Sequence, residues 1–190
     1  MKFIELAKKT RSYRRFDEAR GIPPGVLQEI VQAAGIAPCA ANLQRLRFSI
    51  VTEDNERELL CSSIGWAGYL EDWNGPLPGE RPSAYMVIHA PDDEAAYTGI
   101  DVGIAASYMT LAASDLGIGC CMILSFKPDT VDMIASAEGY RAALLLALGY
   151  PGETVVLERD CEEVRYWRSN DGVHHVPKLP HDELILNELK

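Results

Sequence analysis

DVGIAASYMTLAASDL, Asp101 to Leu116, decides how the rest of the chain must be arranged. Val102, Ala105, Ala106, Met109, Ala112, Ala113 and Leu116 recur at the three-four spacing of one helix face, and most residues between them are also small or apolar. A helix that is apolar nearly all round has to be buried. It is too short to cross a bilayer, which takes roughly 20 apolar residues. Either the domain core or a subunit interface therefore covers it, and its small side chains permit close backbone approach.

Working outward, Phe3 to Lys9 reads as a short helix. Pro23-Pro24 opens a second, on which Val26, Leu27, Ile30, Val31 and Ala34 keep helical spacing up to Gly35. A basic loop lies between them. Phe48 to Val51 and Ala84 to Ala90 read as strands; between them come a helix capped by Asp54 and an aromatic, Gly- and Pro-rich loop from Ile64 to Pro82. Beyond the central helix, Gly119 to Leu124 and Ala142 to Leu148 are apolar runs that read as fully buried strands, separated by a helix starting near Pro128. This order describes an α+β or α/β layered domain around one sheet. Residues 1–190 read as a single domain; the polar stretch 153–190, with Tyr166, Trp167 and Val176 as isolated anchors, is an extension that embraces a partner subunit or packs on its own core.

A hydrophobic content of 47% supports one core without disulfide or metal staples. Cys39, Cys61, Cys120, Cys121 and Cys161 are odd in number and form no Cys-x-x-Cys pair, which points to reduced thiols in a reducing compartment. Met1 to Lys9 lacks the continuous apolar run of a secretory signal, so a bacterial-type cytoplasm is the expected location. His174, His175 and His181 lack the spacing that sets two imidazoles on one helix face and read as surface residues, not metal ligands. A net charge of −10 argues against nucleic acid or an anionic membrane as partner, because both need a basic footprint. Residues 1–20 nevertheless hold seven Lys or Arg against three Asp or Glu, leaving −14 on the remainder. Such a segment suits a bound phosphate or a solvated helix end.

Three constellations carry chemistry. In Arg11-Ser12-Tyr13-Arg14-Arg15-Phe16, planar guanidinium forks match phosphate oxygens and Ser12 adds a hydroxyl donor. Ala37-Pro38-Cys39-Ala40-Ala41-Asn42-Leu43-Gln44 follows an amphipathic helix; its small side chains let a flat ligand lie against the backbone, and Asn42 and Gln44 offer paired amides. Gly117-Ile118-Gly119 precedes a strand, whereas a dinucleotide-binding Gly-x-Gly-x-x-Gly follows one and opens a helix, so a Rossmann site is rejected there.

The order and spacing of Arg-Ser-Tyr-Arg-Arg-Phe, Ala33-Ala-Gly-Ile-Ala-Pro-Cys-Ala-Ala-Asn-Leu-Gln44, Asp101 to Ala113, and Ala147-Leu-Gly-Tyr-Pro151 resemble the nitroreductase family over about residues 8–151. Trp66 to Leu70, with Gly79 to Pro82, further resembles a compact bacterial and archaeal subgroup. The resemblance implies an α+β fold with a mainly antiparallel central sheet flanked by helices, an FMN cofactor, a homodimer whose site draws on both subunits, and reduction of an electron-poor acceptor by NAD(P)H. Nitroaromatics, quinones, enones and free flavin are the acceptors it implies, by a ping-pong mechanism in which no side chain acts as nucleophile. Carried over residue by residue, Arg11 and Ser12 meet the phosphate and Arg14 the pyrimidine edge near flavin N1 and O2, where a cation stabilises the charge of the reduced ring. Tyr13 and Lys178 join that set. Pro38, Cys39, Ala40 and Asn42 line the flavin from the partner, and backbone around Ile123 and Leu124 faces its other side. Four positions depart from the family pattern: Thr10 and Leu179 where basic residues are common, Cys39 where Ser is usual, and Leu124 where many members have Gly.

Two rival readings belong to other classes. One is a Cys39-dependent hydrolase or transferase with His89, His174 or His175 as base. The other is a flavin-binding store or sensor without turnover.

Overall fold

The computed structural model describes residues 2–93 and 95–187, so the end of the 153–190 extension lies outside the described residues. Chain order is α1 (Phe3–Lys9), α2 (Pro24–Gly35), β1 (Arg47–Val51), α3 (Asp54–Ser63), β2 (Ala84–Pro91), α4 (Thr98–Asp115), β3 (Gly119–Ile123), α5 (Pro128–Ala135), β4 (Tyr140–Gly149), β5 (Val155–Glu158), β6 (Trp167–Arg168) and β7 (His174–Pro177). The expected elements recur with small shifts: α4 starts a turn early, and Asp54 is the first residue of α3, behind Glu53 at the cap. No helix among the described residues is long and apolar enough to cross a membrane.

β1, β2, β4 and β3 form a four-stranded sheet in that order, antiparallel throughout. Both faces are covered, which explains why its central strands are apolar without alternation. Met86, Ile88, Leu146 and Leu148 meet α2 and α4 on one face, while Tyr85, Val87, Leu145 and Ala147 join Leu60 of α3 and Val131 of α5 on the other. Burying two faces of a strand removes the polar alternation that a half-solvated sheet would need. Period two still operates at the adjacent cysteines of β3: Cys120 belongs to the first cluster and Cys121 to the second.

α4 is the helix around which this packs. Val102, Ala105, Ala106, Met109 and Ala113 are buried within its own chain, against α2 and the sheet. Ile100, Gly103, Ser107 and Tyr108 form an uncovered stripe on its other side. The small-residue face therefore serves the core of the protomer, and a different face remains for a partner.

The extension packs on its own chain. β5 pairs with β7 in parallel and β6 with β7 in antiparallel register, giving a second, three-stranded sheet. One buried carboxylate ties it to the N-terminal segment: Glu153 accepts the backbone N–H of Arg14, that of Arg15 at 3.2 Å, and Nη2 of Arg168 at 2.8 Å. Its side chain is 2% exposed. Beside it, Phe16 is buried where β4 ends, bridging Pro151, and Gly152 donates its N–H to Arg15 O at 2.9 Å.

Two predictions follow from this junction. A Cβ on Gly152 would stand 2.7 to 2.9 Å from backbone atoms of Phe16, whereas one on Gly25 in α2 meets nothing within 4 Å. Backbone cannot swing aside, so Gly152→Ala should lose about 1–3 kcal/mol of stability by overpacking. Gly25→Ala should gain about 0.5–1 kcal/mol. Urea denaturation of both reads the opposite signs, and equal effects would contradict the packing. Glu153→Ala strands Arg168 and two backbone donors and should cost about 3–5 kcal/mol. Glu153→Gln should cost less, since its amide oxygen still accepts the backbone N–H groups while its NH2 faces Arg168; an equal cost in both variants would rule out that division of labour.

Candidate functional site

The segment after α1 runs extended beside β3, with Ser12 bridging Cys120 and the Tyr13 N–H donating to Cys120 O at 3.0 Å. Extended backbone sends alternate side chains to opposite faces. Ser12 and Arg14 line a cavity of about 370 Å³ together with Thr10, Arg11, Thr110, Cys120, Met122, Tyr166, His174, Val176 and Lys178. Tyr13 does not line it: its ring packs on the second core cluster and against Gly119, where an added Cβ would lie 3.0 Å from the ring. Its side chain packs in the core on the side away from this cavity, and burial raises its phenol pKa.

Cations dominate this cavity. Arg11 is half-buried; its Nη2 donates to Ala7 O at 2.7 Å, its Nε is buried without a hydrogen-bond partner, and burial pushes its pKa down. A guanidinium stays charged under such a shift. Thr10, where the family pattern favours a basic residue, donates its hydroxyl to Leu6 O at 2.9 Å and closes α1. Arg14 is also half-buried. Its Nη1 donates to Ser12 O at 3.3 Å and lies 3.1 Å from His174 Nε2, and its guanidinium carbon sits 4.8 Å from the Tyr166 ring centre.

Arg14 also borders a second, adjoining cavity of about 160 Å³, formed by Gly65 to Gly68, Tyr166 and Cys121 to Ser125. Ile123 buries its side chain in the core there, so its backbone is what it offers, while Leu124 is exposed. Arg11 and Lys178 thus line the first cavity only, while Arg14, Met122 and Tyr166 line both and join them into one cleft.

His174 corrects the reading of the C-terminal histidines as surface groups. It is fully buried, and its pKa is lowered to about 4, first by burial and then by the Arg14 cation. Arginine has no acceptor, so the neutral imidazole accepts through Nε2 and carries its proton on Nδ1, which is buried without a partner. Period two along β7 could have found it, since His174, Val176 and Lys178 line the same cavity. Glu153, 139 residues from Arg14 in sequence, carried no such signal.

Pro38 and Cys39 lie elsewhere, in a cavity of about 180 Å³ with Gln44, Arg45, Asp101 and Ala105. A 3-10 turn spans Ala40–Asn42, and Ala41, Asn42 and Gln44 all have positive φ. The buried Asp101 accepts the Ala40 N–H at 2.9 Å and anchors this turn to the first turn of α4. Asp101 borders this cavity and Thr110 the cationic one, and nine helical steps separate them by about 14 Å. Within one chain, then, the two predicted halves of the site are apart. No histidine lines the Cys39 cavity; Cys39 Sγ accepts the Gln44 N–H at 3.4 Å, and His89 pairs with Ser49 at 2.8 Å. That arrangement does not make a Cys–His pair. Among the described residues no cluster of His, Cys, Asp or Glu is placed to hold a metal ion.

Comparison with known proteins places the chain among relatives of known family and fold. Over 176 residues the chain is 30% identical to the NADH dehydrogenase of Thermus thermophilus, covering 77% of this chain and 85% of that one. It is 26% identical over 184 residues to the iodotyrosine dehalogenase 1 homolog of Caenorhabditis elegans, covering 82% of this chain but 56% of that relative, so it spans little more than half of that protein's length. In fold it is similar to a nitroreductase of Bacteroides fragilis solved with bound FMN, with a TM-score of 0.68 at 22% identity over 86% of this chain and 95% of that one. Residues 7–150 match the Nitroreductase family, and the chain belongs to that family.

Proposed function

We propose that the protein is an FMN-dependent oxidoreductase that moves electrons from NAD(P)H to an electron-poor small molecule, with the flavin held between two subunits. The observation that carries this reading is the convergence of Arg11, Ser12, Arg14 and Lys178 on one cleft beside β3. Its donors fit a phosphate ester: the cations Arg11 and Lys178, the Ser12 hydroxyl and, within Arg11, a buried Nε that lacks a partner among the described residues. Its second end, walled by Tyr166 and the edge of β3, fits a flat ring. The relatives, an NADH dehydrogenase and a nitroreductase solved with bound FMN among them, support the same chemistry.

When bound, FMN supplies a ring that takes two electrons from NAD(P)H and passes them to the acceptor in ping-pong order. The chain's part is to bind and orient. Arg11, Ser12 and Lys178 hold the phosphate; Arg14 sets a cation at the pyrimidine edge; backbone groups of Ile123 and Leu124 face the ring. Nitroaromatics, quinones, enones and free flavin are the acceptors to screen.

The other wall comes from a partner in this reading. Ile100, at 64% exposure, with Gly103, Ser107 and Tyr108, makes the uncovered stripe of α4. A two-fold axis crossing that stripe at right angles runs the partner's α4 antiparallel to it, bringing the start of one helix beside the end of the other. Pro38, Cys39, Ala40 and Asn42, anchored at the start of α4 by Asp101, then face Arg11 and Lys178 across the interface.

The test begins with the absorbance spectrum of the purified protein. Bound flavin that bleaches with NAD(P)H without oxygen is expected; flavin that does not bleach means a store or sensor, and failure to bind added FMN overturns the reading. Arg11→Gln should weaken FMN binding more than it shifts the potential, because the phosphate is anionic in both redox states. Arg14→Gln should do the reverse, since charge at its edge appears only on reduction. Losing a charge-assisted hydrogen bond costs about 1.5–3 kcal/mol. At about 30 mV per 1.4 kcal/mol for two electrons, the Arg14 variant should fall by some tens of millivolts. Equal shifts in both variants would reverse or void the assignment.

A further inference from the structure

We infer that His174 is a positioning residue: its unprotonated Nε2 receives Arg14 and fixes the direction in which that cation faces the ring end of the cleft. The inference rests on the flavin reading of the cleft.

Arg14 is restrained from several sides, by Glu153 at its backbone N–H, by the Tyr166 ring, and by the Ser12 carbonyl. His174 Nε2, at 3.1 Å, supplies the directed side-chain acceptor. Both hydrogen bonds of the Arg14 side chain run through Nη1, which among the described residues leaves Nε and Nη2 for a ligand. A carboxylate in place of His174 would also orient the guanidinium, but it would cancel its charge. A neutral imidazole orients without neutralising, so the full charge of Arg14 stays available to a developing anion.

The surroundings keep it neutral. Arg14, Arg168 and His175 face His174 with like charge or the capacity for it, Glu153 opposes them, and burial is the larger effect. Tyr166 closes the site, its ring centre 5.2 Å from that of His174. The buried Nδ1–H has no acceptor among the described residues, a cost that an apolar residue would avoid. A purely structural filler at this β7 position would need no such group.

The experiment compares His174→Gln and His174→Leu holoprotein with the parent, reading the midpoint potential by spectroelectrochemistry and the FMN Kd by fluorescence. Gln sets an acceptor oxygen near the place of Nε2 and should keep the parent potential. Leu should shift the ratio of oxidised to reduced flavin about tenfold at a fixed potential, about 30 mV downward. Its Kd for oxidised FMN should change by less than about threefold, and the shift should vanish in an Arg14→Gln background. A Leu variant at the parent potential, a shift that persists without Arg14, or a Gln variant that behaves like Leu each overturns the inference. ¹⁵N NMR of the histidine ring in the unaltered protein decides it without relying on either variant. Nε2 should be unprotonated and Nδ1 protonated at pH 7, and the opposite tautomer contradicts the inference. A protein that takes up no FMN defeats the flavin reading, and the NMR result still decides the pairing of Arg14 with His174.

Discussion

The cleft depends on the buried carboxylate of Glu153. Without it, the N-terminal basic segment would be an extended strip with unsatisfied N–H groups at Arg14 and Arg15, and the extension would be tied to it only through weaker contacts. Glu153 spends its charge on backbone donors and on Arg168, leaving the Arg14 side chain unneutralised. Cationic character at the cleft therefore survives although an acid lies beneath it. Removing one partner of such a buried ion pair is costly because the other is left desolvated, so the clamp fixes both stability and the orientation of the site.

Around that clamp the molecule divides its chemistry between rigid supports. Arg11 follows the cap of α1, Ser12 and Arg14 are held beside β3, and His174 and Val176 rise from one face of β7, with Lys178 just past its end. Side chains on paired strands keep their direction far better than side chains on open loops, and preorganised donors stabilise developing charge without reorganising. The turn at Ala40–Asn42 is a different kind of support: it has several non-glycine residues at positive φ and is anchored through Asp101 to α4. Such strain persists only where the surroundings over-determine it.

Much of the fold was legible in the chain because helical and apolar periodicity are local signals. The apolar circumference of α4, the proline that opens α5 and the continuous apolar runs of β2 and β4 all placed elements near their observed bounds. Strand direction was not legible from those runs, since a strand covered on both faces looks the same in parallel and antiparallel sheets; the family resemblance supplied it. The second sheet escaped because β5, β6 and β7 are short and half-exposed, and apolar spacing alone left open whether the domain core or a subunit interface covers α4. At the site, Arg11, Ser12 and Arg14 were readable as a candidate anion-binding cluster, and the family resemblance added Lys178. Glu153 and His174 were not, because each acts through tertiary pairing, and a histidine in a polar tail resembles a surface residue until burial is known.

The central claim is that the cationic cleft of one subunit is completed by the Pro38 to Asn42 wall of another, and intersubunit complementation tests it directly. A variant disabled at Arg11 and Lys178 is unfolded and refolded together with a variant disabled at Cys39 and Asn42. In a two-fold dimer each mixed pair rebuilds one site from its two intact halves and doubles the damage in the other. Flavin binding should then appear in the mixture although neither variant binds flavin alone. A mixture that stays colourless while mixed dimers form would contradict the shared site, because it would mean that each subunit holds its flavin without the partner.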